Sequence, residues 1–185
     1  MFIQTEETPN PNTLKFLPER PVMESGLAEF KSAEEVANNP LAKNIFGLGG
    51  VTRVFYGADF ISVTKEDVLD WEYIQTRIMA LIMDHITAGL PFYEADEASE
   101  SATAEDDDEL TAQIKELLDT RVRPMVAMDG GDIVFNRFEE GIVYLQMRGA
   151  CAGCPSSTMT LKNGIENMLR HYVPEVLEVR QVEEF

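Results

Sequence analysis

The sequence predicts an α+β protein: two small α+β domains joined by an acidic flexible linker. Its 185 residues suffice for one or two small cores, and short strand-like runs alternate with helical patterns on both sides of residues 94–109. That segment holds nine acidic residues and no basic one, so it repels itself and has little apolar surface to bury. The predicted domains are therefore residues 1–93 and 110–185, with residues 94–109 between them.

The first domain should combine short strands with one long amphipathic helix. Apolar residues recur at helical spacing from Trp71 to Ile86, which predicts a helix packed against a sheet. His85 lies on that apolar stripe, and we expect a packed core histidine rather than a metal ligand. The other predicted elements are strands at Phe2–Thr5, Leu14–Leu17, Val51–Tyr56 and Phe60–Thr64 and a short helix at Asn39–Phe46 that Gly47 ends.

The second domain should run helix, strand, strand, helix, strand. One face from Leu110 to Val122 is apolar at helical spacing, and Pro124 should kink this helix or restart it from a first-turn position. The two glycines of Asp129–Asp132 should end the helix and turn the chain. The remaining predicted elements are a hairpin of Ile133–Phe138 and Ile142–Arg148, a helix with apolar positions Leu161, Ile165, Met168, Leu169 and Tyr172, and a last strand, Val176–Val182.

The chain's two cysteines, Cys151 and Cys154, form a C-x-x-C pair between a predicted strand and a predicted helix. Pro155 suits the first helical position, which puts Cys154 at or beside the N-cap. Unpaired backbone N–H groups and the helix dipole favour anions at that end. We therefore expect both thiols to be biased toward thiolate, the form that binds metals and attacks disulfides.

Three kinds of site use such a pair. A thioredoxin-like redox couple also opens a helix after a strand, but only 31 residues follow Cys154, too few to complete that sheet. A zinc site needs four ligands, and His171 has the position of a helix-end residue rather than a ligand. An iron–sulfur cluster likewise takes four cysteines, which two chains related by a twofold axis would supply. Ligand counting alone does not separate zinc from iron–sulfur.

Charge and composition exclude several classes of function. A formal net charge of −18 makes nucleic acid and anionic membrane surfaces poor partners. No run approaches the roughly 18 apolar residues of a membrane span, and the N-terminus lacks the pattern of a signal peptide. We therefore expect an intracellular protein in a reducing compartment. No nucleophile–base pair, phosphate loop or carboxylate dyad is apparent, so we do not expect an enzyme.

Two motifs identify a family resemblance. Residues 123–132 (RPMVAMDGGD) and 149–157 (GACAGCPSS) resemble the C-terminal domain of NifU, also called the Nfu domain, and the likeness covers nearly all of residues 110–185. Residues 2–16 and 46–55 resemble the N-terminal domain of mitochondrial-type Nfu proteins. The motif positions show no departure from the family pattern.

The resemblance implies an iron–sulfur carrier in which Cys151 and Cys154 of two chains hold one 4Fe–4S cluster per homodimer. It implies scaffold proteins as donors and apo 4Fe–4S proteins as clients, such as lipoyl synthase, aconitase-type dehydratases and respiratory-complex subunits. The implied location is the bacterial cytoplasm or, for a eukaryotic source, the mitochondrial matrix. The Met directly before the first domain favours a bacterial chain.

Four charged residues near the cysteine pair have expected roles of their own. We expect Asp129 and Asp132 to act mainly as helix-end and turn residues behind the cysteine loop. Arg148 and Lys162 are candidates to neutralise charge beside an anionic cluster, with a solvated surface role as the alternative.

Overall fold

The computed structural model describes residues 2–24, 26–36, 38–93, 108–152 and 155–182. Within them the chain divides into two compact units, Met1–Ser99 and Glu100–Phe185. Each unit combines helices with a sheet, which confirms the predicted α+β class. Residues 94–107 of the predicted linker and Cys154 of the cysteine pair lie outside the described residues.

The first unit is a five-stranded antiparallel sheet with two helices. The strand order is β1-β2-β5-β4-β3, and every neighbouring pair is antiparallel. The helices bury Leu41, Ile45, Ile78 and Ile82 in the same core as the strand residue Phe16. The elements are β1 (Gln4–Glu7), β2 (Thr13–Leu17), β3 (Ala28–Phe30), α1 (Pro40–Phe46), β4 (Val51–Tyr56), β5 (Ile61–Lys65) and α2 (Trp71–Thr87).

The sequence pattern missed one strand of this sheet. Strand β3 has only three residues, and it forms because Ala28, Glu29 and Phe30 pair with β4. Three residues are too few to show the alternation by which a strand is recognised. The other four strands and both helices lie within two or three residues of their predicted bounds.

Buried polar side chains in the first unit are hydrogen-bonded. Asn39 caps α1 by accepting a hydrogen bond from the Ala42 amide, and its Nδ2 donates to the Phe92 carbonyl at 2.8 Å. Tyr56 donates its hydroxyl proton to Asn39 Oδ1 at 3.0 Å, and burial raises the Tyr56 pKa well above its usual range. His85 is buried, and its Nε2 donates to the Pro91 carbonyl at 2.9 Å. The expectation of a packed core histidine is confirmed.

The second unit has the predicted order of elements. Its sheet runs β6-β7-β8, with β6 and β7 antiparallel and β7 and β8 parallel. The helices pack on the face of the sheet that carries Ile133, Val143, Leu145 and Val179. The elements are α3 (Glu109–Leu117), a π-helical turn (Leu118–Val122), α4 (Arg123–Met128), β6 (Gly131–Glu139), β7 (Ile142–Gly149), α5 (Pro155–Tyr172) and β8 (Glu178–Gln181).

Two details of the second unit concern helix ends. Pro124 lies in the first turn of α4 after the π-helical turn, so the helix restarts there as one of the two predicted possibilities. The helical spacing predicts Tyr172 on the apolar face of α5, but the residue is 42% exposed because it is the last residue of the helix. Its ring instead faces the Arg121 guanidinium, with Cζ 5.0 Å from the ring centroid.

Candidate metal centre

The cysteine loop connects the end of β7 to the start of α5. Gly149 ends the strand with φ +61°, and Ala150, Cys151 and Ala152 follow as a turn. The loop is tied to the end of α4, because the Ala150 amide donates to the Gly130 carbonyl at 3.2 Å. Since α5 begins at Pro155, the C-x-x-C pair directly precedes a helix N-terminus, as predicted.

Cys151 is buried rather than presented at the surface. Only 6% of the residue is exposed, and it belongs to the same buried cluster as Ile133, Met147 and Ile165. Its sulfur lies against Gly131, because a Cβ placed on that glycine would come within 2.5 Å of Cys151 Sγ. The site expected from the sequence therefore contains one thiol that is withdrawn from solvent.

The electrostatic surroundings of Cys151 disfavour its thiolate. Burial is the main cause, and the negative charges of Asp129 and Asp132 add to it, so that the pKa of Cys151 rises to about 12. The predicted thiolate bias is wrong for Cys151, because this residue precedes α5 by four positions and its side chain packs in the core. For Cys154, which lies outside the described residues, the thiolate bias stays a prediction.

Asp132 forms an ion pair with Arg123 through two hydrogen bonds. Its side chain is 4% exposed, and Arg123 donates Nε–H to Oδ1 at 3.0 Å and Nη2–H to Oδ2 at 3.2 Å. Arg123 also contacts Asp119 at 3.1 Å, and the hydrogen bonds to Asp132 raise the Arg123 pKa. Burial raises the Asp132 pKa more than Arg123 lowers it. Asp132 is the second residue of β6 and pairs with Arg148 of β7, so the ion pair fixes the strand end beside the cysteine loop.

The two basic candidates differ in their surroundings. Lys162 lies 3.7 Å from Glu178 of β8 and is thereby engaged in an ion pair. Arg148 lies close enough to Asp132 to lower its pKa, and its Nη2 donates to Gln146 at 3.4 Å. The buried Nε of Arg148 has no hydrogen-bond partner among the described residues. Of the two candidates, Arg148 is therefore the one beside the cysteine loop.

Three methionines of the second unit are exposed, and no sequence pattern marked them. Met125 and Met128 of α4 are 66% and 75% exposed, and Met159 is 67% exposed in the second turn of α5. Exposed apolar positions of a helix are recognised only when the face that packs on the sheet is known.

Cys151 has no grouped ligands from its own chain among the described residues. In that part of the chain no three His, Cys, Asp or Glu side chains are placed to hold one metal ion. No helix there is long and apolar enough to cross a membrane.

Comparison with known proteins gives family matches for both units. Residues 3–89 match the family described as scaffold protein Nfu/NifU N terminal, and residues 114–180 match the NifU-like domain. The chain is 52% identical over 183 residues to the human mitochondrial NFU1 iron–sulfur cluster scaffold homologue, covering 98% of this chain and 72% of that protein. It is 53% identical over 186 residues to NifU-like protein 5, mitochondrial, of Arabidopsis thaliana, covering 98% and 68%.

Among solved structures, the chain resembles the NMR structure of a NifU-like protein from Saccharomyces cerevisiae. That likeness has 27% identity and a TM-score of 0.48, and it covers 52% of this chain and 87% of the other. On the identity to the human and Arabidopsis relatives, over nearly its whole length, the chain belongs to the Nfu family of iron–sulfur cluster scaffold proteins.

Proposed function

We propose that this protein carries a 4Fe–4S cluster, held by Cys151 and Cys154 of two identical chains, and delivers it to apo client proteins. The observation that carries the proposal is the position of the chain's only two cysteines, which form a C-x-x-C pair immediately before Pro155, the first residue of α5. A 4Fe–4S cluster takes four cysteine ligands, and each chain has two. A second chain supplies the missing pair most simply.

Two features of the second unit support association with a second chain. Met125 and Met128 of α4 and Met159 of α5 offer exposed, uncharged and adaptable side chains. Residues 110–185 hold eleven acidic and eight basic side chains, so the second unit carries little of the chain's net charge of −18. Two copies therefore approach through their second units with less repulsion than the whole chain's charge suggests.

Delivery proceeds by ligand exchange and needs no electron transfer. At each step a client thiolate forms a new Fe–S bond while the Fe–S bond to Cys151 or Cys154 breaks. The client thiol gives up its proton, and the released cysteine takes one up. When all four bonds between the cluster and the carrier cysteines have been replaced, by client thiolates or by another ligand of the client's cluster, the cluster belongs to the client and two apo chains are released. The protein acts as a carrier and not as an enzyme, because the cluster is passed on without being converted into a different product.

The proposed partners and location are those that the family resemblance implies. Scaffold proteins are the proposed donors, and apo 4Fe–4S proteins such as lipoyl synthase, aconitase-type dehydratases and respiratory subunits are the proposed clients. The relatives named above are mitochondrial proteins, which favours the mitochondrial matrix for a eukaryotic source. The bacterial cytoplasm stays the prediction for a bacterial one.

The test is anaerobic reconstitution of the full chain with iron and sulfide, compared with Cys151→Ser and Cys154→Ser. We expect about four irons and four sulfides per two wild-type chains, a dimeric mass for the loaded form, and almost no iron in either variant. Far-UV circular dichroism checks that the variants fold. The loaded wild type should then activate an apo-dehydratase.

Three outcomes would contradict this proposal. A single-serine variant that loads and transfers at the wild-type rate would exclude these ligands. A colourless monomer that readily forms a Cys151–Cys154 disulfide would favour a redox function. A colourless dimer that binds zinc and does not exchange it with clients would favour a structural metal site.

A further inference from the structure

The end of the β6–β7 hairpin provides a place for the Cys151 sulfur. Gly131 on β6 pairs with Gly149 on β7, so neither strand has a side chain at this position. The sulfur uses that space, since a Cβ on Gly131 would lie 2.5 Å from Cys151 Sγ, 2.8 Å from the Arg148 carbonyl oxygen and 2.9 Å from the Cys151 amide nitrogen. Non-bonded heavy atoms normally approach no closer than about 3.5 Å. Any residue larger than glycine at position 131 therefore displaces the sulfur or the loop.

This position is incompatible with sharing a ligand between two chains. The Cys151 residue is 6% exposed and packs with the core of its own unit. A sulfur that bonds to an iron held jointly with another chain must lie at the surface of its own chain. Cys151 must therefore leave its contact with Gly131 before it becomes a shared ligand.

The loop is built so that this movement is local. Its backbone is held by the hydrogen bond from Ala150 to Gly130 at 3.2 Å and by a tight turn from Ala152 to Gly149 at 3.1 Å. Gly149 has φ +61°. Glycine adopts this conformation, and leaves it, at little cost. Rotation about this residue moves Cys151 without disturbing the strands that precede it.

We propose that Gly131 is a positioning residue that holds Cys151 in a withdrawn position, from which the sulfur moves outward to bind the cluster. This inference rests on the proposed function, since it concerns how Cys151 becomes a cluster ligand. The withdrawn position protects the thiol from oxidants and alkylating agents while no partner chain covers it. The open position becomes the main state only when the bonds to the cluster and the contacts with the second chain offset the lost packing; without them it is reached only by rare local opening.

The first measurement is the rate at which iodoacetamide modifies Cys151 in the full-length Cys154→Ser chain, which has one thiol. In native buffer the modification should be at least about a hundredfold slower than in urea at the same pH, because the thiol reacts only after local opening. Modification at the rate of the unfolded chain would overturn the inference. This measurement needs no change at Gly131.

The second measurement adds Gly131→Ala to the same single-thiol chain. The added methyl group excludes the sulfur from its withdrawn position, so modification of Cys151 should be at least about tenfold faster than without it. Gly164→Ala is the matched control, because a Cβ there meets nothing within 4 Å, and its rate should be unchanged. A folded Gly131→Ala chain with the unchanged rate would refute the positioning role.

The outcomes separate this inference from the proposed function. If wild-type chains take up no iron, the proposed function fails whatever the alkylation rates are. If they take up iron but the native thiol is not protected, only the withdrawn position fails. Should Gly131→Ala not fold, the comparison of native buffer with urea still decides.

Discussion

In the first unit the buried side chain of Asn39 makes three hydrogen bonds, whereas in the second unit the buried thiol of Cys151 lies against a glycine and near two carboxylates. The two residues are almost equally buried, at 4% and 6% exposure. Asn39 joins Tyr56, Phe92 and α1 into one network. Each of these three partners loses a hydrogen bond if the Asn39 side chain is removed.

Cys151 differs from Asn39 in its chemistry. A thiol is a weak hydrogen-bond donor and packs like a small apolar side chain. What distinguishes Cys151 is its reactivity toward metals and oxidants. Equal burial therefore has different consequences in the two units: around Asn39 it encloses a hydrogen-bond network that holds the fold together, and around Cys151 it keeps a reactive thiol away from solvent.

The largest expected effect is that of Asn39→Ala on the first unit. The substitution removes one hydrogen bond each from the Tyr56 hydroxyl, the Phe92 carbonyl and the Ala42 amide, and it removes the cap of α1. We expect the free energy of unfolding to fall by about 3 kcal/mol. Urea unfolding followed by the fluorescence of Trp71, the chain's one tryptophan, reports on this unit.

Asn44→Ala is the control for this prediction, because Asn44 is an exposed residue of the same helix. Its effect should stay within about 0.5 kcal/mol. Equal losses for the two variants would mean that the buried network around Asn39 does not stabilise the fold as its geometry indicates.

A smaller effect is expected from Arg123→Ala in the second unit. The buried Asp132 carboxylate loses both hydrogen bonds, but Arg123 is 40% exposed and solvent weakens the pair. We expect a loss of about 2 kcal/mol, below the range for fully buried pairs. Hydrogen exchange of the amides in β6 and β7 measures it locally.

Two further variants sharpen this prediction. Arg170→Ala breaks the exposed ion pair with Glu166 and should cost under about 1 kcal/mol. Adding Asp132→Asn to Arg123→Ala removes the unpaired charge and should recover part of the loss. If the β6–β7 amides are equally protected from hydrogen exchange in the Arg123→Ala and Arg170→Ala variants, the Arg123–Asp132 ion pair does not stabilise the strand end.

The smallest effect concerns pH and the start of α3. The Asp108 carboxylate accepts hydrogen bonds from the Thr111 hydroxyl and from the Thr111 amide, the latter at 2.9 Å, and together they lower its pKa below the ordinary value of 3.8. A carboxyl whose pKa is lower in the folded chain contributes stability that is fully present above the unfolded pKa. That contribution is lost as the pH falls through the folded pKa.

Carbon-13 NMR of the Asp108 carboxyl should therefore show a midpoint below 3.8. Asp108→Asn keeps a capping oxygen that does not titrate, so the Thr111 amide shift should lose its acid transition in this variant. A midpoint at or above 3.8 would show that the cap is not formed in solution.

The sequence by itself determined the features that depend on neighbouring residues. The spacing of apolar residues located the helices, including the buried face of α2 with His85, and Pro124 and Pro155 marked where helices start. The C-x-x-C spacing placed the candidate site in a loop between strand and helix. These features follow from backbone sterics and periodicity, which act within a few residues along the chain.

Only the tertiary structure decided how Cys151 is held. The helix that follows the cysteines predicts a thiolate through its dipole, whereas the burial that raises the Cys151 pKa is produced by Gly131, twenty positions earlier, and by the core beneath it. The pairing of Gly131 with Gly149 and of Asp132 with Arg123 depends on the register of a hairpin and the path of a helix. The same holds for strand β3, which exists because β4 offers its edge. Contacts between residues distant in sequence set the local dielectric and the space available, and no local pattern encodes either.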